Sequence, residues 1–272
     1  MSAAGSDNLF AASVASLYER YLVPLIFAPY AIDIAARVAR HKPSWVLEIA
    51  AGTGVVTRQL ARVLPDAVAI VATDLNQPML DQAASIGASR PLQWQQADAM
   101  RLPFPDQSFD AVVCQFGAMF FPDRPKAFAE ARRVLRPGGV FLFNVWDSID
   151  QNEFAATVTQ ALADVFADDP PRFLARVPHG YHDVAIIARD LANGGFTQTP
   201  EFDTIAARSR ADSPDVPAIA YCQGTPLRNE IEQRRATGLT EATAAATTAI
   251  ARRFGAGAVD GKIQAHVVAI ER

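Results

Sequence analysis

The chain has 272 residues, half of them hydrophobic, and a formal net charge of −4. That length and apolar fraction can bury a large core and exclude a disordered chain. No run of Lys or Arg tracks a phosphate backbone, so a nucleic-acid substrate is disfavoured. The two cysteines, Cys114 and Cys222, make neither a disulfide framework nor, by themselves, a metal site. The start, Met-Ser-Ala-Ala-Gly-Ser-Asp-Asn, lacks the basic and apolar regions of a secretory signal. The expectation is a cytoplasmic protein with no integral membrane association and no metal.

In chain order, Leu22 to Ala39 is apolar enough to suggest a membrane span, but Pro24, Pro29, Asp33 and Arg37 interrupt it. The spacing predicts a packed helix with Ile32, Ala35, Ala36 and Ala39 toward a sheet. Trp45 to Ala50 has the β-branched, apolar look of a strand buried on both faces, and Val55 to Leu64 reads as the helix after it. Ala67 to Asp74 is a second strand, and Asn76 is the expected N-cap of a helix opening at Gln77-Pro78-Met79. Gln96 to Asp110 leads into a strand at Ala111 to Gln115, and Arg136-Pro137-Gly138-Gly139 is the turn before a strand at Val140 to Trp146. Strands alternating with helices predict a parallel sheet with right-handed crossovers.

The turn between the first strand and its helix carries the chemistry. In Val46-Leu47-Glu48-Ile49-Ala50-Ala51-Gly52-Thr53-Gly54, two glycines follow an acid by four and six places. Gly52 and Gly54 allow positive φ or close backbone approach, so a ligand can rest on main-chain N–H groups at the helix start. The dinucleotide fingerprint G-x-G-x-x-G has a third glycine where this chain has Thr57. Without it there is no close pyrophosphate cradle, and Glu48 repels phosphate and welcomes a cation. S-adenosylmethionine, with its α-ammonium and sulfonium, matches that charge pattern. Asp74 follows Gly54 at the spacing from which an acid can accept both ribose hydroxyls, while Leu75 and Met79 offer an apolar slot for adenine. Glu48, Asp74 and Asp98 are each also ordinary strand-end or turn acids. Asp106 and Asp110 are read only as turn and strand-start residues.

The acid-x-Ala/Gly-x-Gly-x-Gly pattern resembles the first motif of the class I S-adenosylmethionine-dependent methyltransferases, with Ala50 where many members have glycine. Four motifs in register across residues 45–147 place the chain nearest the broad group that includes ubiquinone and menaquinone biosynthesis C-methyltransferases. The resemblance implies a Rossmann-like, doubly wound seven-stranded α/β sheet with its last strand antiparallel. It implies further that Asp98 contacts the adenine amino group and Ala99 a ring nitrogen through its backbone, with Met100 beside them. N-terminal tyrosines of this kind, here Tyr18 and Tyr21, cover the cofactor in such proteins, although helix packing explains them nearly as well. Gln115 and Phe116 follow the fourth strand, where the methyl group should sit. Gln115-Phe116-Gly117-Ala118 departs from the acid-or-amide, Pro-Pro-aromatic pattern of several amino methyltransferases, which disfavours a DNA adenine or protein glutamine acceptor.

The remainder divides into a helical segment at 1–44, a cofactor-binding core at 45–147, helical cap insertions at 148–181 and 212–258, and completion of the sheet by 182–211 and 259–272. Expected elements are helices at Asn152 to Ala167 and His182 to Gly195, strands at Gln198 to Ala207 and Lys262 to Glu271, and an Ala/Thr-rich helix ending at Phe254. Insertions after strand carboxyl ends fall on the ligand side of such a sheet, so a lid over the acceptor is expected. His179, Tyr181 and His182 are candidate general bases, with a helix-opening role for His182 as the plainer alternative. Phe116, Met119, Phe120 and Phe121 favour a small apolar or aromatic acceptor. O-, N- and C-methylation remain open, as does the oligomeric state. A nicotinamide-dependent oxidoreductase and a noncatalytic S-adenosylmethionine-binding protein are the competing readings.

Overall fold

The computed structural model describes residues 12–272. A helix α1 (Ala12–Leu17) runs into a π-wound stretch (Tyr18–Phe27) and then α2 (Ala28–Arg40). Pro24 has no N–H to give the preceding turn, and the wider winding absorbs that loss, with the Ala28 amide donating to the Val23 carbonyl. Alternation follows: β1 (Trp45–Glu48), α3 (Val55–Val63), β2 (Ala69–Asp74), α4 (Gln77–Ile86), β3 (Gln93–Gln96) and β4 (Phe109–Gln115). After a single 3-10 turn (Ala118–Phe120) come α5 (Arg124–Val134) and β5 (Leu135–Trp146). The remaining elements are a second 3-10 turn (Ile149–Gln151), α6 (Glu153–Val165), α7 (Phe173–Arg176), α8 (Val184–Asn193), β6 (Glu201–Ala211), α9 (Asp215–Gln223), α10 (Leu227–Arg234), α11 (Gly238–Phe254) and β7 (Val259–Glu271).

The seven strands form one sheet in the order β3-β2-β1-β4-β5-β7-β6. The β1–β2, β1–β4, β2–β3 and β4–β5 pairs are parallel. β7 runs against β5: the Arg272 amide donates to the Gly139 carbonyl near one end, and the Asp147 amide, just past β5, to the Gln264 carbonyl near the other. Strand order reverses between β1 and β4, so the crevice for a ligand lies at their carboxyl ends.

By contacts the chain divides into two compact units. One comprises Pro29–Val145, Tyr181–Ile205 and Ala265–Arg272. The other takes the described residues through Ala28, with Trp146–Gly180 and Ala206–Gln264; the first is called the sheet unit and the second the helical unit. In the first, one sheet face packs Val46, Ile70, Ala111, Val113, Val140 and Leu142 against Ala31, Ile34, Ala35 and Val38 of α2 and Val56 and Leu60 of α3. An aromatic group lies among its other buried residues, with Phe141 and Phe143 stacked at 4.8 Å and Phe128 5.4 Å from Phe143. In the second unit α11 packs on α6 and α9, and α9 also meets the π-wound stretch.

The face of α2 differs from the expected one. Ala35 is buried as read, but Ile32 is 58 % exposed and Ala36 is exposed. Both lie beside the Asp33–Arg37 ion pair around the helix, on the side those charges hold in water. β3 went unpredicted because Gln-Trp-Gln-Gln is short and polar and lies at the sheet edge, where one side needs no apolar cover. The Val14–Arg40 run is long and apolar enough to cross a membrane, and 56 % of its most apolar window is buried inside the protein.

Asp110 does more than begin a strand. One carboxylate oxygen accepts from the Ser44 and Trp45 amides at 2.8 Å each, and the other takes Arg136 Nη1 at 2.6 Å, pinning the starts of β1, β4 and β5. Partial burial raises the cost of its charge, but these donors outweigh it and hold the pKa below the ordinary carboxylate value. Asp110→Asn should lower the unfolding free energy at pH 7 by about 1–3 kcal/mol in urea titrations. Since the folded pKa is depressed, that deficit shrinks as pH falls through it and the wild-type carboxyl also protonates. Unchanged stability would contradict the clamp.

Candidate cofactor site

β1 ends at Glu48, and the chain then turns through left-handed residues: Ala50 at φ 53°, Gly52 at 56° and Gly54 at 81°. Ala50 therefore occupies a conformation natural to glycine, at the motif position where the resembled family often has one. The turn stays in contact with both neighbouring strands, since the Ile49 amide donates to the Val113 carbonyl and the Ala51 amide to the Thr73 carbonyl, each at 2.9 Å. Packing forces both tight positions. A Cβ on Gly54 would meet the Trp94 ring at 2.7 Å, and one on Gly117 would meet Ala50 Cβ at 2.5 Å and Cys114 Sγ at 2.8 Å.

Asp74 ties this turn to the next. Its Oδ2 accepts from the Gly52 amide at 2.8 Å, and its Oδ1 from the Asn76 amide at 2.8 Å and side chain at 3.4 Å. Asn76 thus caps α4 by position, without a side-chain bond to the helix. Burial raises the Asp74 pKa against the pull of these donors. The Ala97 amide donates to the Asp74 carbonyl at 3.0 Å, and Asp98 Oδ1 accepts from the Met100 amide at 2.8 Å. Ala99 is buried and Met100 half-buried beside it. Leu75 is 50 % exposed whereas Met79 is buried.

Glu48 is buried with 1 % exposure, and its Oε2 accepts from the Thr57 hydroxyl at 2.6 Å. Thr57 thus fills the place of a third fingerprint glycine with a hydrogen bond. Desolvation pushes the Glu48 pKa up to about 8, opposed by Thr57 and Arg58 and reinforced by Asp74. The Thr53 hydroxyl, buried within the same turn, has no hydrogen-bond partner in the protein. Sequence reasoning passed over it, because a threonine between two glycines gives no signal of burial.

At the end of β4, Gln115 is half-buried and Phe116 is buried at φ 51°. Tyr18 stacks on Phe27 at 5.0 Å, and Arg20 lies over the Tyr21 ring at 5.0 Å, both in the helical unit. The three candidate bases, adjacent in the chain, have different partners. His179 belongs to the helical unit, where its Nδ1 bonds the Asp147 carbonyl at 2.8 Å and its ring lies 6.0 Å from Trp146. Tyr181 belongs to the sheet unit and donates its hydroxyl to Asp190 at 3.0 Å beneath Arg124. Burial, then the Asp190 carboxylate, raises its pKa well above the ordinary phenol value, so it stays protonated and acts as a donor, the opposite of a base. His182 is half-buried beside Asp183, which caps α8 through the Ala185 and Ile186 amides.

Comparison with known proteins adds to this geometry. The methyltransferase domain family matches residues 47–143. The chain is 33 % identical over 167 residues to the ubiquinone/menaquinone biosynthesis C-methyltransferase UbiE of Teredinibacter turnerae, covering 56 % of this chain and 67 % of that one. The chain belongs to the class I S-adenosylmethionine-dependent methyltransferases. Similarity to the demethylmenaquinone methyltransferase of Deinococcus radiodurans reaches 43 % over 107 residues, 39 % of this chain, and spans less than half (44 %) of that relative's length. Among solved structures, a Haemonchus contortus phosphoethanolamine N-methyltransferase has a TM-score of 0.59 at 17 % identity, covering 97 % of this chain and 58 % of its own. The YcgJ protein of Bacillus subtilis has a TM-score of 0.56 at 19 % identity, covering 90 % and 99 %. These two share the fold. The matched relatives are methyltransferases, and nothing among them supports the nicotinamide reading.

Glu48 gives a pH test. Its folded pKa lies above the unfolded value, so its stabilising contribution is complete below ordinary carboxylate titration and is lost as pH rises toward about 8. The unfolding free energy of the wild type should fall relative to Glu48→Gln between pH 5 and 8 and level off above, with a limiting slope of about 1.4 kcal/mol per pH unit, and the melting temperature should fall with it. Parallel melting curves across that range would mean that Glu48 is already ionised in the folded protein.

Proposed function

We propose that the protein transfers the methyl group of S-adenosylmethionine to a small apolar or aromatic acceptor by in-line displacement, releasing S-adenosylhomocysteine. The observation that carries this reading is the pair of buried carboxylates, Glu48 and Asp74, around a left-handed turn with no third glycine. Such a turn opposes a pyrophosphate and suits a cationic ligand that has a ribose. Asp74 has lone pairs beyond those given to Gly52 and Asn76, and these accept the ribose hydroxyls. Asp98, Ala99 and Met100 frame the adenine with Leu75 and Met79. Gly52 and the partnerless Thr53 hydroxyl face the methionine portion, and Gln115 and Phe116 flank the methyl group.

When bound, the cofactor supplies an electrophilic methyl on a sulfonium, a leaving group that needs no acid. The contribution of the chain is geometric. Holding acceptor and methyl in line, apart from water, is worth roughly 7–11 kcal/mol. Phe116, Met119 and Phe121 are buried and Phe120 is half-buried after β4, which favours an apolar ring over a charged acceptor. Relatives named for ubiquinone and menaquinone biosynthesis support a quinol-type ring. A proton leaves such an acceptor, and His182 is the candidate to receive it. A cytoplasmic location fits two buried free cysteines.

The test is incubation of the purified protein with methyl-labelled S-adenosylmethionine and a panel of hydroquinones. Label in an organic-extractable product is expected. S-adenosylhomocysteine binding without transfer to any acceptor would favour a noncatalytic binding protein. Asp74→Ala should weaken S-adenosylhomocysteine binding by roughly 1.5–3 kcal/mol, read by calorimetry on the folded variant. Equal affinity would remove the ribose assignment.

A further inference from the structure

In β5 the run Phe141-Leu142-Phe143-Asn144-Val145-Trp146 is apolar but for one carboxamide, and Asn144 has 0 % exposure. A buried amide with nothing to bond would destabilise the sheet centre, so its partners show why it is there. Asn144 Oδ1 accepts from the Phe116 amide at 3.0 Å, and the Asn144 carbonyl accepts from the same amide at 3.1 Å. Its Nδ2 donates to Gln115 Oε1 at a longer 3.4 Å. Asn144 therefore grips the last residue of β4 by its side chain and the following residue by its backbone.

Phe116 is the strained one. A bulky residue at φ 51° is disfavoured and persists where its surroundings over-determine it. Here it is held at the amide by two acceptors and at the ring by Tyr30, edge-on at 5.3 Å, while Tyr30 is anchored by its hydroxyl to the Ile205 carbonyl at 3.1 Å. Immediately after it, Gly117 is pressed against Ala50, the other non-glycine left-handed residue of the crevice. Two strained backbones thus face each other at the switch point, and the first motif supplies only one of them.

We propose that Asn144 is a positioning residue for the cofactor site, acting through Phe116: its carboxamide holds the exit of β4 in the left-handed conformation that aims the 115–117 peptide groups at the methionine end of the ligand. This rests on the cofactor reading above. Without the Oδ1 acceptor the Phe116 amide keeps only the Asn144 carbonyl, the left-handed conformation is held less firmly, and the peptide on its far side gains freedom to rotate away from the cleft. Glycine adopts positive φ at little cost, so at position 116 it makes the grip unnecessary.

The experiment is a double-mutant cycle read by calorimetric binding of S-adenosylhomocysteine, with folding of each variant checked by circular dichroism. Asn144→Leu should weaken binding by about tenfold in the wild-type background and by less than about threefold in the Phe116→Gly background. A merely structural role for Asn144 gives the same loss in both backgrounds, which would overturn the proposal, as would undiminished binding by Asn144→Leu. If the leucine variant does not fold, Asn144→Ser, too short to reach the Phe116 amide, takes its place in the cycle. Asn144→Asp, which keeps the acceptor, should retain binding below neutral pH, and a loss equal to that of the leucine variant would count against the mechanism. If the wild type itself does not bind S-adenosylhomocysteine, the cofactor reading has failed, a result distinct from failure of the Asn144 role.

Discussion

The hydrogen bond from the Gly52 amide to Asp74 Oδ2 is the contact on which the candidate site depends. A backbone turn with three left-handed residues has few internal bonds of its own, and this one fastens it to the end of the adjacent strand. The same carboxylate starts α4 through Asn76, and its residue's carbonyl draws in the segment that carries Asp98. One buried acid at the end of β2 therefore gathers three separate stretches of sequence.

Electrostatics at this point select the ligand more sharply than shape does. Glu48 and Asp74 are both buried and both have raised pKa values, mainly because burial disfavours their charge. A sulfonium or ammonium placed beside such carboxyls favours their charged form, whereas a phosphate disfavours it, so the pair suits a cationic ligand. Thr57 closes the alternative by occupying the third fingerprint position with a bond to Glu48. Tyr181 is a stabilising contact in the sheet unit, bonded to Asp190 beneath Arg124.

Much of the sheet was legible because its strands are apolar and its turns are marked by Gly, Asp and Pro at fixed offsets. β1, β2, β4 and the end of β5 fall within a few residues of their predicted positions, and the antiparallel last strand is present. β3 was not legible, since a polar edge strand has no periodic signal. The face of α2 was misjudged because alanine does not distinguish a buried side from an exposed one, and only the Asp33–Arg37 pair fixes the phase. At the site, the acids and glycines could be named from spacing, whereas the left-handed φ of Phe116 and the burial of Thr53 could not. Both are consequences of how distant segments meet, and a lone asparagine in an apolar strand was the one available hint.

If the left-handed turn and its two acids form the ligand site, the protein binds a cationic nucleoside without phosphate. Calorimetric titration of the purified protein with S-adenosylmethionine, S-adenosylhomocysteine and NADH in parallel tests it most directly. Saturable binding of the first two and none of the third is expected. Binding of NADH alone would contradict it.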